Sequence, residues 1–97
     1  MNVGNGIKLV RNRLGLTQDT VRKRAHLTQG FYSNIEIGRS NPGVNTLQKI
    51  AEAFGVPVIV IMWYAMEKKD IQKNKRDIYD KLKPAIESLM DELIIKQ

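Results

Sequence analysis

The side chains able to make or break bonds are few. His26 is the sole histidine among 97 residues, and cysteine is absent. No thiolate nucleophile, disulfide framework or thiolate metal site is therefore available. His26 has no Asp or Glu partner at a spacing that metal ligation or proton relay requires, and it reads as a turn residue. Glu87, Asp91 and Glu92 fall on a helical stretch without a pocket signature, so they read as a solvated face rather than a catalytic pair. Phosphate-cradling and dinucleotide fingerprints are missing. The expectation is a protein that is not an enzyme, with no catalytic residue, no metal and no cofactor. What remains is charge and hydrogen bonding. Sixteen Lys and Arg against ten Asp and Glu give a net charge of +6 and a sequence pI of about 9.8, a balance that favours a polyanionic partner through counterion release.

The positive charge sits in one half. Up to residue 55 the chain carries Lys8, Arg11, Arg13, Arg22, Lys23, Arg24, Arg39 and Lys49 against Asp19, Glu36 and Glu52; beyond it, bases and acids nearly cancel. The first half is thus suited to a polyanion and the second to solvated helix or protein contact. The most apolar run, Val56 to Met66, is about half the length that a membrane-crossing helix needs. With no cysteine to protect, the chain reads as soluble and cytoplasmic, with no membrane partner.

The elements that must position these charges are helices. Ile7, Val10 and Leu14 recur at helical spacing, with Asn5 as candidate cap and Gly15 as stop. Thr17 is a natural N-cap for a second helix with Val21, Ala25 and Leu27 as its apolar positions and Arg22, Lys23 and Arg24 outside. Thr28 caps a third, carrying Phe31, Tyr32 and Ile35 and ending at Gly38. After the turn formers Arg39-Ser40-Asn41-Pro42-Gly43 comes a fourth helix, with Val44, Leu47, Ile50, Ala51 and Phe54 on one face and Gly55 at its end. The fifth, Pro57 to about Glu67, is so rich in β-branched residues that local propensity alone would allow a strand. Its helical neighbours favour a helix, apolar nearly all round, with one face for the domain and one for a partner.

From Asp70 onward the composition is charged and helix-forming. Tyr79, Leu82, Ile86, Leu89 and Leu93 follow at steps of three and four, as in a packing seam. Pro84 interrupts it and predicts either a kink or a fresh helix start there. The fold class is therefore all-α: a five-helix domain over residues 1–66 and a C-terminal helical extension over 67–97, expected to support dimerisation.

Two short helices joined by a tight turn, 17–24 and 28–36, have the layout of a helix-turn-helix unit, whose second helix is presented to a DNA major groove. The residues go further. Leu14-Gly15-Leu16-Thr17-Gln18, Ile35-Glu36, Gly38, Asn41-Pro42, Thr46-Leu47, Ile50-Ala51 and Phe54-Gly55-Val56 together resemble the Xre family, the Cro and phage-repressor class, over residues 5 to 61. The resemblance implies a phage-repressor-like bundle that binds double-stranded DNA as a homodimer. By position it gives Gln29 and Asn34 as base readers, each able to pair bidentately with adenine. Gly30 would allow close approach, and Ser33 would offer a hydroxyl. Gln18, Thr28, Arg11, Arg39, Ser40 and Asn41 are implied as DNA backbone contacts, and Arg11 with Glu36 as a structural ion pair. Two residues depart from the pattern: Arg22 where the family has a small residue, which would tilt the two helices apart, and His26 where it has glycine.

Plainer readings compete. Tyr32 falls where the family buries an aliphatic side chain and reads as core rather than a base-stacking platform. Phe31 divides between packing and thymine contact, and Lys23 and Arg24 between phosphate contact and plain surface charge. Trp63 and Tyr64 read as core, with a dimer interface close behind. As a whole-protein alternative to a repressor, the extension suits an antitoxin-like module whose C-terminal helix binds a partner protein. A restriction-modification controller would share the same head.

Overall fold

The computed structural model describes residues 1–95; residues 96 and 97, the end of the expected extension, lie outside the described residues. Six α-helices account for the described architecture, without a strand among the described residues: α1 (Val3–Leu14), α2 (Gln18–Arg24), α3 (Gln29–Glu36), α4 (Val44–Phe54), α5 (Val58–Ala65) and α6 (Arg76–Ile95). The all-α reading holds.

The caps explain most boundaries. The Thr17 hydroxyl accepts from the Thr20 amide at 3.1 Å and the Thr28 hydroxyl from the Phe31 amide at 3.2 Å, so α2 and α3 each begin on a satisfied donor. Gly15 (φ 70°) and Gly55 (φ 72°) close α1 and α4 in the left-handed conformation, and their amides return to carbonyls of the last turn. His26 takes the same conformation in the α2–α3 turn, at φ 58°, the one described non-glycine residue to do so. That costs a β-carbon residue about 1–2 kcal/mol.

The start of α1 departs from expectation. Its cap is Asn2, whose side chain accepts from the Asn5 amide at 3.0 Å, so Gly4 lies inside the helix rather than before it, and Gly6 a full turn past the cap rather than next to it. Glycine is a poor helix former, but here it lets backbones touch. A β-carbon on Gly6 would lie 2.7 Å from the Ala65 amide nitrogen and 2.8 Å from the Ile61 carbonyl oxygen, and one on Gly4 would strike the Ile35 carbonyl. α1 therefore seats directly on α5 and on the end of α3, and this tertiary gain outweighs propensity.

Ile7 and Val10 of α1, Val21 of α2, Tyr32 and Ile35 of α3, Ile50 of α4 and Val60 and Ile61 of α5 are fully buried in one core. Each aliphatic side chain so buried contributes about 1.5–3 kcal/mol. α5 is shorter than expected, with Pro57 as its cap and Met66 already extended. Among the described residues no single helix is long and apolar enough to cross a membrane.

Beyond α5 the chain makes two 3-10 turns, Lys68–Asp70 and Lys73–Lys75, before α6 begins at Arg76. α6 continues through Pro84, so no fresh helix starts there. α6 packs on α1 and α5. Met90 and Ile94 enter the common core, with Ile86 against its edge. Asp91 holds the docking: it pairs with Arg13 of α1 and accepts from the Tyr64 hydroxyl at 2.7 Å, while the Arg13 guanidinium lies 4.8 Å from the Tyr64 ring centre. Trp63 of α5 and Tyr79 of α6 meet with ring centres 6.0 Å apart and planes tilted by 42°.

Candidate nucleic-acid interface

α3 has two opposite faces. Tyr32, Ile35 and Glu36 point inward and are buried, while Gln29 and Gly30 are exposed and Ser33 and Asn34 are half-buried on the outer side. Helical spacing places Gln29, Gly30, Ser33 and Asn34 on that one outer face. At Gly30 a β-carbon would meet nothing within 4 Å, so the glycine leaves the middle of the face open rather than relieving a clash. Thr28 and Phe31 flank it, both exposed.

A polar relay runs beneath this face. Arg11 of α1 donates to Glu36 from Nε at 2.7 Å and from Nη2 at 3.1 Å, and its Nη1 donates to the Leu16 carbonyl at 2.9 Å. Gln18, the first residue of α2, donates from Nε2 to Glu36 Oε1 at 3.0 Å, and its own Oε1 accepts from Gln29 Nε2 at 3.0 Å. One carboxylate thus fixes the start of α2, and through Gln18 the start of α3. Gln29 keeps its Oε1 and a second amide hydrogen outside this relay, a donor-acceptor pair of the kind that can match adenine.

Glu36 is almost wholly buried, with its side chain 1% exposed against 13% for Arg11. Burial penalises its charge, but the hydrogen bonds from Arg11 and Gln18 prevail and hold its pKa below the ordinary carboxylate value. The same bidentate contact raises the pKa of Arg11. The Tyr32 hydroxyl is buried next to this pair and feels both charges; desolvation above all pushes its pKa up. It makes no hydrogen bond with either partner.

The loop after α3 is bound to it by the Asn34 carbonyl, which accepts from the Arg39 amide at 2.9 Å and the Ser40 amide at 3.2 Å. Arg39 and Asn41 are exposed there and Ser40 half-buried. The basic residues of α2 are partly committed elsewhere. Arg22 and Lys23 pair with Asp19 at 2.7 and 2.9 Å, and Arg24 donates to the Ala53 carbonyl of α4 at 3.3 Å.

Sequence reasoning did not foresee that Gln18 joins Glu36 to Gln29. Three residues eighteen and eleven positions apart carry no local signal, and only the folded crossing of α1, α2 and α3 brings them together. Nor did it foresee Gly4 and Gly6 as packing residues, although two glycines at i and i+2 ahead of an apolar helix are a visible hint of close approach.

The helix-turn-helix family model matches residues 7–61. The chain is 32% identical over 90 residues to an immunity repressor protein of Bacillus phage phi105, an alignment covering 80% of this chain and 62% of that protein. It is 43% identical over 54 residues to an uncharacterized helix-turn-helix-type transcriptional regulator of Sinorhizobium fredii, covering 56% of this chain and 70% of that protein. The chain therefore spans less than two thirds of the phage repressor's length. No solved structure matches it significantly.

Proposed function

We propose that this chain, which belongs to the Xre-like helix-turn-helix family of transcriptional regulators, is a repressor-type protein that binds operator DNA as a two-fold homodimer with α3 in the major groove. The family is one of DNA-binding regulators and not of enzymes. The observation that carries the reading is the relay Arg11–Glu36–Gln18–Gln29, which fixes α2 and α3 to one another and leaves the outer face of α3 for DNA.

In this reading Gln29 and Asn34 read base edges, Ser33 and the open backbone at Gly30 complete the contact, and Gln18, Thr28, Arg11, Arg39, Ser40 and Asn41 meet phosphates. Residues 1–66 form the DNA-binding domain and 67–97 the extension that supports dimerisation. The protein works in the cytoplasm, where its operator is. Anisotropy titration of a Gln29→Ala/Asn34→Ala variant with the DNA upstream of its own gene tests this. Each lost bidentate pair removes about 1–3 kcal/mol of discrimination, so operator preference collapses while the salt dependence of binding stays. A folded double variant with undiminished preference overturns the readout.

A second reading is favoured by one feature, the apolar stripe that α6 leaves in solvent: an antitoxin-like module whose C-terminal helix holds a partner protein. Its signature is a heterologous protein that co-purifies in stoichiometric amount with the full chain and is lost when Leu82 and Leu89 are made polar.

A further inference from the structure

The expected seam on the extension is divided by the fold. Tyr79, Ile86, Met90 and Ile94 turn toward the head, whereas Ile78, Leu82, Leu89 and Leu93 stay 59, 51, 57 and 37% exposed. With the exposed Ala85 between them, these residues follow at steps of four, three, four and four and make one stripe along about four turns of α6. The opposite face is turned to the head, and among the described residues Ile78, Leu82 and Leu89 stay more than half exposed.

We infer that this stripe is the surface on which two copies of the chain associate, with their α6 helices antiparallel. The inference rests on the dimeric reading above and names its interface. Two features support a second copy running in reverse. First, the stripe is nearly palindromic about Ala85 and Ile86. Reversal sets Leu82 against Leu89 and Ile78 against Leu93, and small Ala85 lets the backbones approach at the centre, so one patch complements itself as a two-fold interface requires. Second, the charge is graded along the helix. From Arg76, where α6 begins, to Lys83 there are three basic and two acidic residues; from Pro84 to Ile94 there are three acidic residues, Glu87, Asp91 and Glu92, and no basic one. Antiparallel pairing lays the first half of each helix, with its slight excess of bases, beside the acidic second half of the other, and it opposes the helix dipoles favourably. A parallel pair would bring like charges level at both ends.

The chain's lack of cysteine makes the test direct. The full chain is examined by sedimentation without DNA, as wild type and as Leu82→Glu/Leu89→Glu. Leu82→Cys and Leu89→Cys variants are then oxidised singly and mixed. Circular dichroism checks that each variant keeps its helix content, as expected for exposed positions. The inference expects a wild-type dimer, a monomeric double-Glu variant, and a disulfide dimer that forms in the mixture far more than in either variant alone. Efficient disulfides within each single variant would mean parallel helices and overturn the arrangement. A wild-type dimer that neither cross-links nor responds to the double-Glu change would overturn the α6 interface while leaving dimeric DNA binding intact. A wild-type monomer would overturn both the interface and the dimeric reading. A polar stripe that instead releases a stoichiometric foreign protein would assign the surface to that partner.

Discussion

The α2–α3 unit and α6 are both helical and both attached to α1, yet they are held in different ways. In the first, a carboxylate almost out of reach of water takes hydrogen bonds from Arg11 and Gln18, two threonine caps fix the helix starts, and Gly4 lets the backbone of α1 meet the end of α3. In the second, a few apolar side chains and partly exposed polar contacts, Arg13–Asp91, Tyr64–Asp91 and Lys68–Asp80, hold one face, while Ile78, Leu82 and Leu89 stay exposed on another. The contrast suggests a division of labour. In the proposed reading α3 is fixed before DNA arrives, so little ordering cost is left for binding. The extension keeps apolar side chains in solvent, which the proposed α6 interface would use.

The comparison breaks most severely at Glu36. Glu36→Ala leaves the Arg11 guanidinium partly buried without its partner, and the expected loss of stability is about 3 kcal/mol, measured by denaturant unfolding. The pH dependence has the matching sign. Because the folded pKa of Glu36 is depressed, its contribution is complete above the ordinary carboxylate range and fades as pH falls through the folded value. Acid should destabilise the wild type more steeply than Glu36→Gln.

Gly6→Ala comes next. Backbone atoms of Ile61 and Ala65 stand where the new methyl must go, so α1 and α5 must separate, at a cost of about 2 kcal/mol. A lowered Tm reports it. Removing strain from the reading unit works in the other direction. His26→Gly relieves a left-handed β-carbon residue and should raise stability by about 1 kcal/mol, visible as a higher denaturant midpoint with unchanged slope.

The smallest effect belongs to the extension. Asp91 is 37% exposed at its side chain, and Asp91→Ala should cost less than about 1 kcal/mol overall. Hydrogen exchange should nevertheless localise that loss to α6, with α1 to α4 keeping their protection. A uniform loss across the head would mean that the two regions are one cooperative unit and would cancel the contrast drawn here.

The sequence displays the reading unit because its signals are local: Thr17 and Thr28 as caps, Gly15 and Gly55 as stops, and apolar residues at helical spacing place α2, α3 and α4 within a residue. The outer face of α3 follows from periodicity as well. Asn5 misleads as a cap because the glycines after Asn2 look like a helix breaker until α5 and α3 are seen against them. The seam of the extension misleads for a related reason. Spacing identifies Tyr79, Leu82, Ile86, Leu89 and Leu93 as apolar on a helix, but their division between head and solvent depends on the angle at which α6 meets α1 and α5, set by Arg13, Tyr64 and Asp91 far apart in the chain. Pro84 is tolerated within α6 on an exposed face, which local propensity does not anticipate.

The central claim is that a prearranged α3 reads DNA from a two-fold pair of chains. Selection of bound duplexes from a random pool by the full-length wild type tests it most directly. The account predicts enrichment of an inverted repeat with half-sites about one helical turn apart, and loss of that enrichment in the Gln29→Ala/Asn34→Ala variant. A pool that stays random through successive rounds, or an enriched motif without two-fold symmetry, would contradict it.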